Sequence, residues 1–232
     1  MIELENPMQE PSEVKNSPET KQSENWRGEF GSQYSARNEF STPELDNLYQ
    51  RNYGVTRTAL NLRFLTDIPR STSILEIGCN LGNQLILLHQ MGFENISGIE
   101  IQREIVKKAQ SRLPGARVME GSALQVPFQD ASFDLVFTSG LLIHIAPQNL
   151  PVAMKEIYRC AKSWIWGFEY YSPQMTEVPY RGQTELLWKA DYARLYTKMF
   201  PDLELVSELQ LKYSENDNVD SMFLLRKKKN KK

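Results

Sequence analysis

Two acids and two glycines form the most specific chemical pattern in this chain of 232 residues. Glu76, Gly78 and Gly82 are spaced Glu-x-Gly-x-x-x-Gly, and a second acid, Glu100, follows a helical stretch and a short apolar run. Gly78 permits a sharp turn where a Cβ would clash. Gly82 lets a ligand approach the start of the next helix, whose free N–H groups favour a carboxylate or phosphate. Glu100, at the end of an apolar run, can accept hydrogen bonds from both hydroxyls of a ribose. Together these residues ask for an adenosine-like ligand with a negatively charged end. A dinucleotide would need glycine at positions 80 and 83, where the chain has Asn80 and Asn83.

The elements that must position these groups read as one βαβ unit. Ile74 to Ile77 is a strand, Leu81, Leu85 and Leu88 give a helical stripe, and Ile96 to Ile99 is the next strand. The pattern then repeats. Ile105, Ala109 and Leu113 mark a helix ending near Pro114, Arg117 to Glu120 is a third strand, and Phe133 to Thr138 is a fourth. Leu150, Met154, Ile157 and Ala161 mark a helix, and Ser163 to Phe168 is a fifth strand. Trp188, Tyr192, Leu195 and Met199 share a helix face, Leu203 to Tyr213 alternates as a strand, and Met222 to Leu225 reads as a buried strand. Residues 41–67 read as one or two helices, with Thr42 as N-cap, Pro43 at the first helical position and an interruption at Gly54. The fold expected is α/β, a doubly wound seven-stranded sheet. Residues 1–25 are a flexible polar tail, 26–65 a helical or lid segment, 66–227 the main domain and 228–232 a basic tail.

Several further side chains bear on chemistry. Residues 26–38 carry Trp26, Tyr34 and Arg37. They either pack on the domain surface or form a lid that sets Tyr34 or Arg37 over a carboxylate or a substrate, since a guanidinium can bond a carboxylate twice. Ser122 follows the third strand and is either a simple cap or a neighbour of an adenine. Thr138 and Ser139 end the fourth strand, where transfer chemistry sits in a doubly wound sheet, and neither is an acid. No metal-ligand cluster stands out. His144 has two readings, a satisfied core histidine or a general base, whose ordinary pKa lies near neutrality. His89 reads as structural. Glu169, Tyr170 and Tyr171 leave the fifth strand at the mouth of the site, and Tyr180 and Arg181 sit in a proline-bounded loop of the kind that carries specificity. A net charge of −2 gives no basic field for nucleic acid. The two cysteines, Cys79 and Cys160, suggest no disulfide framework and a reducing cytoplasm. No signal peptide or bilayer-length apolar run is read, so no membrane is expected as a partner.

The Glu76, Gly78, Gly82 turn resembles the first motif of class I S-adenosylmethionine (SAM)-dependent methyltransferases, with Asn80 where those proteins usually have glycine. The resemblance covers roughly residues 66–227 and implies a Rossmann-like sheet with an N-terminal helical lid, SAM as cofactor, a small-molecule acceptor and no metal. Residues 26–38, Leu75 to Gly82, Leu142 to Ile145, Glu169 to Tyr171 and Val178 to Gly182 are more narrowly similar to methylases associated with pseudaminic acid biosynthesis. That group implies a small polar acceptor such as a sugar acid or amino sugar, methylated on oxygen or nitrogen. The cofactor residues implied are Tyr34, Arg37, Glu76, Gly78, Cys79, Asn80, Gly82, Glu100, Ile101, Ser122, Ala123 and Thr138. His144 or Glu169 would manage the acceptor proton, and Trp26, Tyr170, Tyr171, Tyr180 and Arg181 would shape the acceptor site. The alternatives are a non-catalytic SAM-binding scaffold and a nicotinamide-dependent oxidoreductase. The acceptor and the oligomeric state are not legible.

Overall fold

The computed structural model describes residues 20–228. Four helices precede the sheet: α1 (Lys21–Arg27), α2 (Glu29–Arg37), α3 (Thr42–Tyr53) and α4 (Arg57–Leu65). Helix α1 begins inside the stretch expected to be a flexible tail to residue 25. Thr20 and Ser23 cap it reciprocally, and the Gln22 side chain bonds a loop more than a hundred residues away. Tertiary contact thus orders a segment whose polar composition argues against order. Residues 1–19 and 229–232, the rest of the two expected tails, lie outside the described residues. The N-cap of α3 is Ser41 rather than Thr42; it forms a capping box with Glu44, and Pro43 is the second helical residue.

The core alternates strands and helices. In chain order it contains β1 (Ile74–Ile77), α5 (Asn83–Gln90), β2 (Ile96–Glu100), α6 (Arg103–Arg112), β3 (Arg117–Glu120), β4 (Phe133–Ser139), α7 (Leu150–Cys160) and β5 (Ala161–Tyr170). A small hairpin follows, β6 (Thr176–Glu177) with β7 (Trp188–Lys189), then α8 (Tyr192–Met199), β8 (Leu203–Lys212) and β9 (Val219–Lys227). The main sheet has seven strands in the order β3-β2-β1-β4-β5-β9-β8. The first five are parallel, and β9 runs antiparallel between β5 and β8, so that β8 again points the way of the first five, which matches the doubly wound architecture read from the sequence.

Two details depart from that reading. No helix joins β3 to β4; Arg159 on α7 instead bonds the carbonyls of Val126 and Phe128 and braces that connection as a loop. Trp188 belongs to β7, not to the stripe of α8.

Apolar residues on opposite faces of the strands build two cores. Leu75, Ile77, Val136 and Ile165 pack with α7 and α8. Ile74, Leu135, Phe137 and Trp166 pack with α4, α5 and α6. The sheet is so tightly covered that a Cβ on Gly167 would fall 2.1 Å from the Phe223 ring. The strand order reverses between β1 and β4, and a crevice opens there at the carboxyl ends of the parallel strands.

Candidate functional site

A cavity of about 470 Å³ occupies that crevice, a size usual for small-molecule sites. Each parallel strand delivers residues to it at its carboxyl end: Gly78 after β1, Glu100 on β2, Ser122 after β3, Gly140 after β4 and Tyr170 on β5.

The glycine turn is built by backbone conformation. Gly78 has φ +73°, and a Cβ there would meet Leu141 at 2.6 Å. The N–H groups of Gly78 and Cys79 both donate to the Ile99 carbonyl at 2.9 Å, pinning the turn to β2. Asn80, at φ +48°, adopts the left-handed conformation that glycine takes most easily and that asparagine also tolerates. This explains how asparagine stands where the resembling proteins usually have glycine. Gly82, also left-handed at φ +75°, caps α5 but does not line the cavity.

Glu100 is buried, and its carboxylate braces the turn from the opposite side. Oε2 accepts the Asn80 N–H at 2.9 Å and Oε1 the Gln102 N–H at 3.0 Å. Burial raises its pKa, and these backbone N–H groups offset the rise. A carboxylate has about four lone-pair sites, so lone pairs remain for a diol.

Four residues that line the cavity each carry a buried side-chain oxygen without a partner: Glu76 Oε2, Asn80 Oδ1, Gln84 Oε1 and Gln102 Oε1. All four accept hydrogen bonds, and unpaired buried acceptors cost free energy. They suit a ligand rich in N–H and O–H donors, such as a ribose, an adenine amino group and an ammonium. The residues present therefore fit SAM. Gln84 and Gln102 are absent from the residues expected from the sequence. Gln102 is two residues beyond Glu100 and Gln84 lies in the first turn after Gly82, so proximity to the motif was their one legible signal.

Over the other half of the cavity lie α1, α2 and the loop after β4. Gln22 Nε2 donates to the His144 carbonyl, and the Ala146 N–H donates to Gln22 Oε1 at 2.9 Å. The Trp26 ring lies 4.5 Å from the His144 ring and 5.2 Å from Tyr34, while Tyr180 is 5.5 Å from His144. His144 Nδ1 is 2.8 Å from the Leu186 carbonyl. A carbonyl only accepts, so Nδ1 carries the hydrogen and Nε2 of the neutral ring keeps a lone pair. Burial pushes the His144 pKa down to about 4, away from the near-neutral value expected of an unperturbed histidine. His89 is exposed on the last turn of α5.

Glu169 does not stand at the mouth of the site. It is 1% exposed and turned beneath the loop after β4, where it accepts the N–H groups of Leu141 at 3.2 Å and Ile143 at 3.3 Å. Burial lifts its pKa to about 7, with Thr138 and the loop amides pulling against the rise. It positions the loop that carries His144. Thr138 and Tyr171 likewise fall outside the cavity lining. Among the other residues named from the sequence, Trp26, Tyr34, Arg37, Glu76, Gly78, Cys79, Asn80 and Glu100 are brought to one cavity. Ile101, Ser122, Ala123, His144, Tyr170, Tyr180 and Arg181 join them there. Cys79 and Cys160 are buried free thiols, each with its pKa raised by burial, that of Cys160 to about 12.

Comparison with known proteins agrees with this architecture. Residues 75–164 match a family model described as a methyltransferase domain. The chain is 32% identical over 102 residues to the 2-methyl-6-phytyl-1,4-hydroquinone methyltransferase of Synechocystis, covering 42% of this chain and 31% of that protein. It is 23% identical over 164 residues to demethylmenaquinone methyltransferase of Staphylococcus aureus, covering 67% of each. Across four curated relatives, the match spans between 31% and 54% of the relative's length. Among solved structures, the Burkholderia thailandensis 1,6-didemethyltoxoflavin-N1-methyltransferase, with S-adenosylhomocysteine bound, superposes with a TM-score of 0.68 at 14% identity over 94% of each chain. The chain thus has the Rossmann-like fold of the class I methyltransferases, and its residues 75–164 carry the sequence pattern of their methyltransferase domain.

Proposed function

We propose that this chain is a SAM-dependent methyltransferase of small molecules that works without a metal. The observation carrying this reading is the switch-point cavity, where Glu100 faces the glycine turn and four buried acceptor oxygens lack partners. Glu100 and Gln102 would hold the ribose and adenine side, and Glu76, Asn80 and Gln84 the amino-acid side. Arg37, exposed at the rim, would meet a carboxylate.

When bound, SAM supplies a methyl group already activated on a sulfonium. The chain's own task is then alignment, which can lower a barrier greatly. Trp26, Tyr34, Tyr170 and Tyr180 would enclose the acceptor, and Arg181 would stand at its entrance. The His144 tautomer presents Nε2 as an acceptor to the proton-bearing group of the substrate. Its depressed pKa makes it a weak base that orients this group and takes the proton only as the methyl arrives. Glu169 acts behind it, by fixing the loop.

The finer proposal is a polar ring acceptor with an oxygen or nitrogen nucleophile, a sugar acid or amino sugar. It rests on the resemblance to the pseudaminic acid-associated methylases and is supported by aromatic faces that suit the C–H face of a sugar, with two arginines at the rim. The relatives named above act, by their names, on hydroquinones, menaquinone precursors and a toxoflavin precursor, which also favours small molecules.

The test incubates the protein with methyl-labelled SAM and a metabolite extract. The expected result is a product heavier by one methyl, absent with Glu100→Ala and strongly reduced with His144→Ala. A folded protein that neither binds SAM nor labels any metabolite would overturn the proposal.

A further inference from the structure

One tyrosine of the cavity wall is held by a partner that can only donate. Tyr49, one turn from Leu45 and from Tyr53 on α3, lines the cavity and is absent from the residues expected from the sequence. Its hydroxyl accepts a hydrogen bond from Nη1 of Arg57 at 2.8 Å. Arg57 opens α4, is 0% exposed and anchors its Nε on Asn61 at 2.9 Å. A guanidinium has five donors and no acceptor, so it takes no hydrogen back from the phenol. The phenol has one hydrogen, and it donates to no group among the described residues. Burial raises the Tyr49 pKa, with Arg57 pulling against the rise, so that hydrogen stays in place near neutral pH. Tyr49 is therefore a committed donor, whose hydrogen is left for whatever fills the cavity.

Neighbouring groups tell which half of the cavity it serves. The Tyr49 ring lies 5.4 Å from that of Phe168, and the Arg57 guanidinium 4.5 Å from Phe168 and 5.5 Å from Trp166, both on β5. In the sheet, β4 separates β5 from β1, the strand that leads into the glycine turn. The charges lining the cavity divide in the same way. Glu76 and Glu100 stand on the glycine-turn side; the other charged lining residues are Arg37 and Arg181, and neither forms an ion pair among the described residues. The acids near β5 are already engaged and do not line the cavity. Glu169 accepts the loop amides, and Asp220, opposite Tyr170 across β5 and β9, accepts the Tyr53 and Tyr213 hydroxyls. Asp220 lies near enough to balance the Arg57 charge, but takes none of its hydrogens. A donor backed by a buried cation, in a half lined by positive charge, suits an anionic oxygen.

We propose that Tyr49 donates to an anionic oxygen of the methyl acceptor, a carboxylate or a phosphate, and that Arg57 is the positioning residue that commits the hydroxyl to this role. This rests on the reading of the cavity as a SAM-dependent methyltransferase site. The test follows methyl-labelled SAM into a metabolite extract and passes the product over an anion exchanger, with calorimetric titration of S-adenosylhomocysteine on the same full chains. The labelled product should be retained. Digestion with phosphatase and phosphodiesterase then separates the two sources, since a carboxylate survives it and a phosphate does not. Tyr49→Phe should raise KM for the labelled metabolite by about tenfold or more, with kcat and S-adenosylhomocysteine affinity little changed. Arg57→Met should do the same, and Arg57→Lys should recover most of the loss. In the Tyr49→Phe background Arg57→Met should add little, because the cation acts through that hydroxyl. An unretained, neutral product would overturn the proposal, as would an unchanged KM in Tyr49→Phe. Additive losses, or weakened S-adenosylhomocysteine in a folded variant, would mean a structural or cofactor-side role and overturn it too. Should Arg57→Met fail to fold, no loss in Tyr49→Phe or full loss in Arg57→Lys overturns it. A natural chain that binds no S-adenosylhomocysteine and labels nothing instead removes the methyltransferase reading.

Discussion

At the scale of single residues, the site depends on side chains whose backbone or burial is unusual. Asn80 holds a left-handed conformation, at φ +48°. Asn80→Gly should leave stability nearly unchanged, whereas Asn80→Val should cost about 1–2 kcal/mol, read as a lower urea midpoint. Glu169 offers a test by pH. Its folded pKa, about 7, stands above the ordinary value of 4.5. The folded state therefore holds a proton that the unfolded state releases, and this contribution to stability is lost as pH rises from about 4.5 through 7. Glutamine has no such titration. The stability of Glu169→Gln relative to the natural chain should improve across that window by up to about 3 kcal/mol, whatever the absolute offset between them. Denaturant melts at several pH values would show this, and a flat difference would place the Glu169 proton elsewhere. The motif acids and glycines were legible from spacing alone, because turn geometry restricts which residue types fit. The inward turn of Glu169 was not, since a strand-end acid reads the same whether it faces a cavity or braces a loop.

At the scale of elements, the strands were legible and the first two helices were not. Ile74–Ile77 and Arg117–Glu120 announce themselves as short runs whose burial follows from apolar content or alternation. Helices α1 and α2 have no apolar stripe of comparable strength. Their order comes from Gln22 on the loop at His144 and from Trp26 on the His144 ring, contacts too distant in sequence for any local pattern to carry. The two-residue strands β6 and β7 are likewise too short to show a period. Gln22→Ala should loosen α1, raising hydrogen exchange across residues 20–27 and speeding release of S-adenosylhomocysteine, with little change in the global unfolding midpoint. In the sheet, Gly167→Ala would drive a methyl into the Phe223 ring. The expected loss is about 1–3 kcal/mol, seen as a lower thermal midpoint with cooperative unfolding retained.

At the scale of the whole molecule, a doubly wound sheet places five strand ends around one crevice, so residues scattered from Trp26 to Arg181 meet there. The acids sit on the glycine-turn side, at Glu76 and Glu100, and the arginines at the rim, at Arg37 and Arg181. Such a cavity should gain stability from its ligand: at one hundred times its dissociation constant, S-adenosylhomocysteine should add about 2.7 kcal/mol. The thermal midpoint should rise with ligand concentration. The most direct measurement is calorimetric titration of the natural chain and of Glu100→Ala with SAM. The account predicts one site per chain in the natural protein and affinity reduced by about tenfold or more in the variant. Absence of binding by the folded natural chain, or equal affinity in the two, would contradict it.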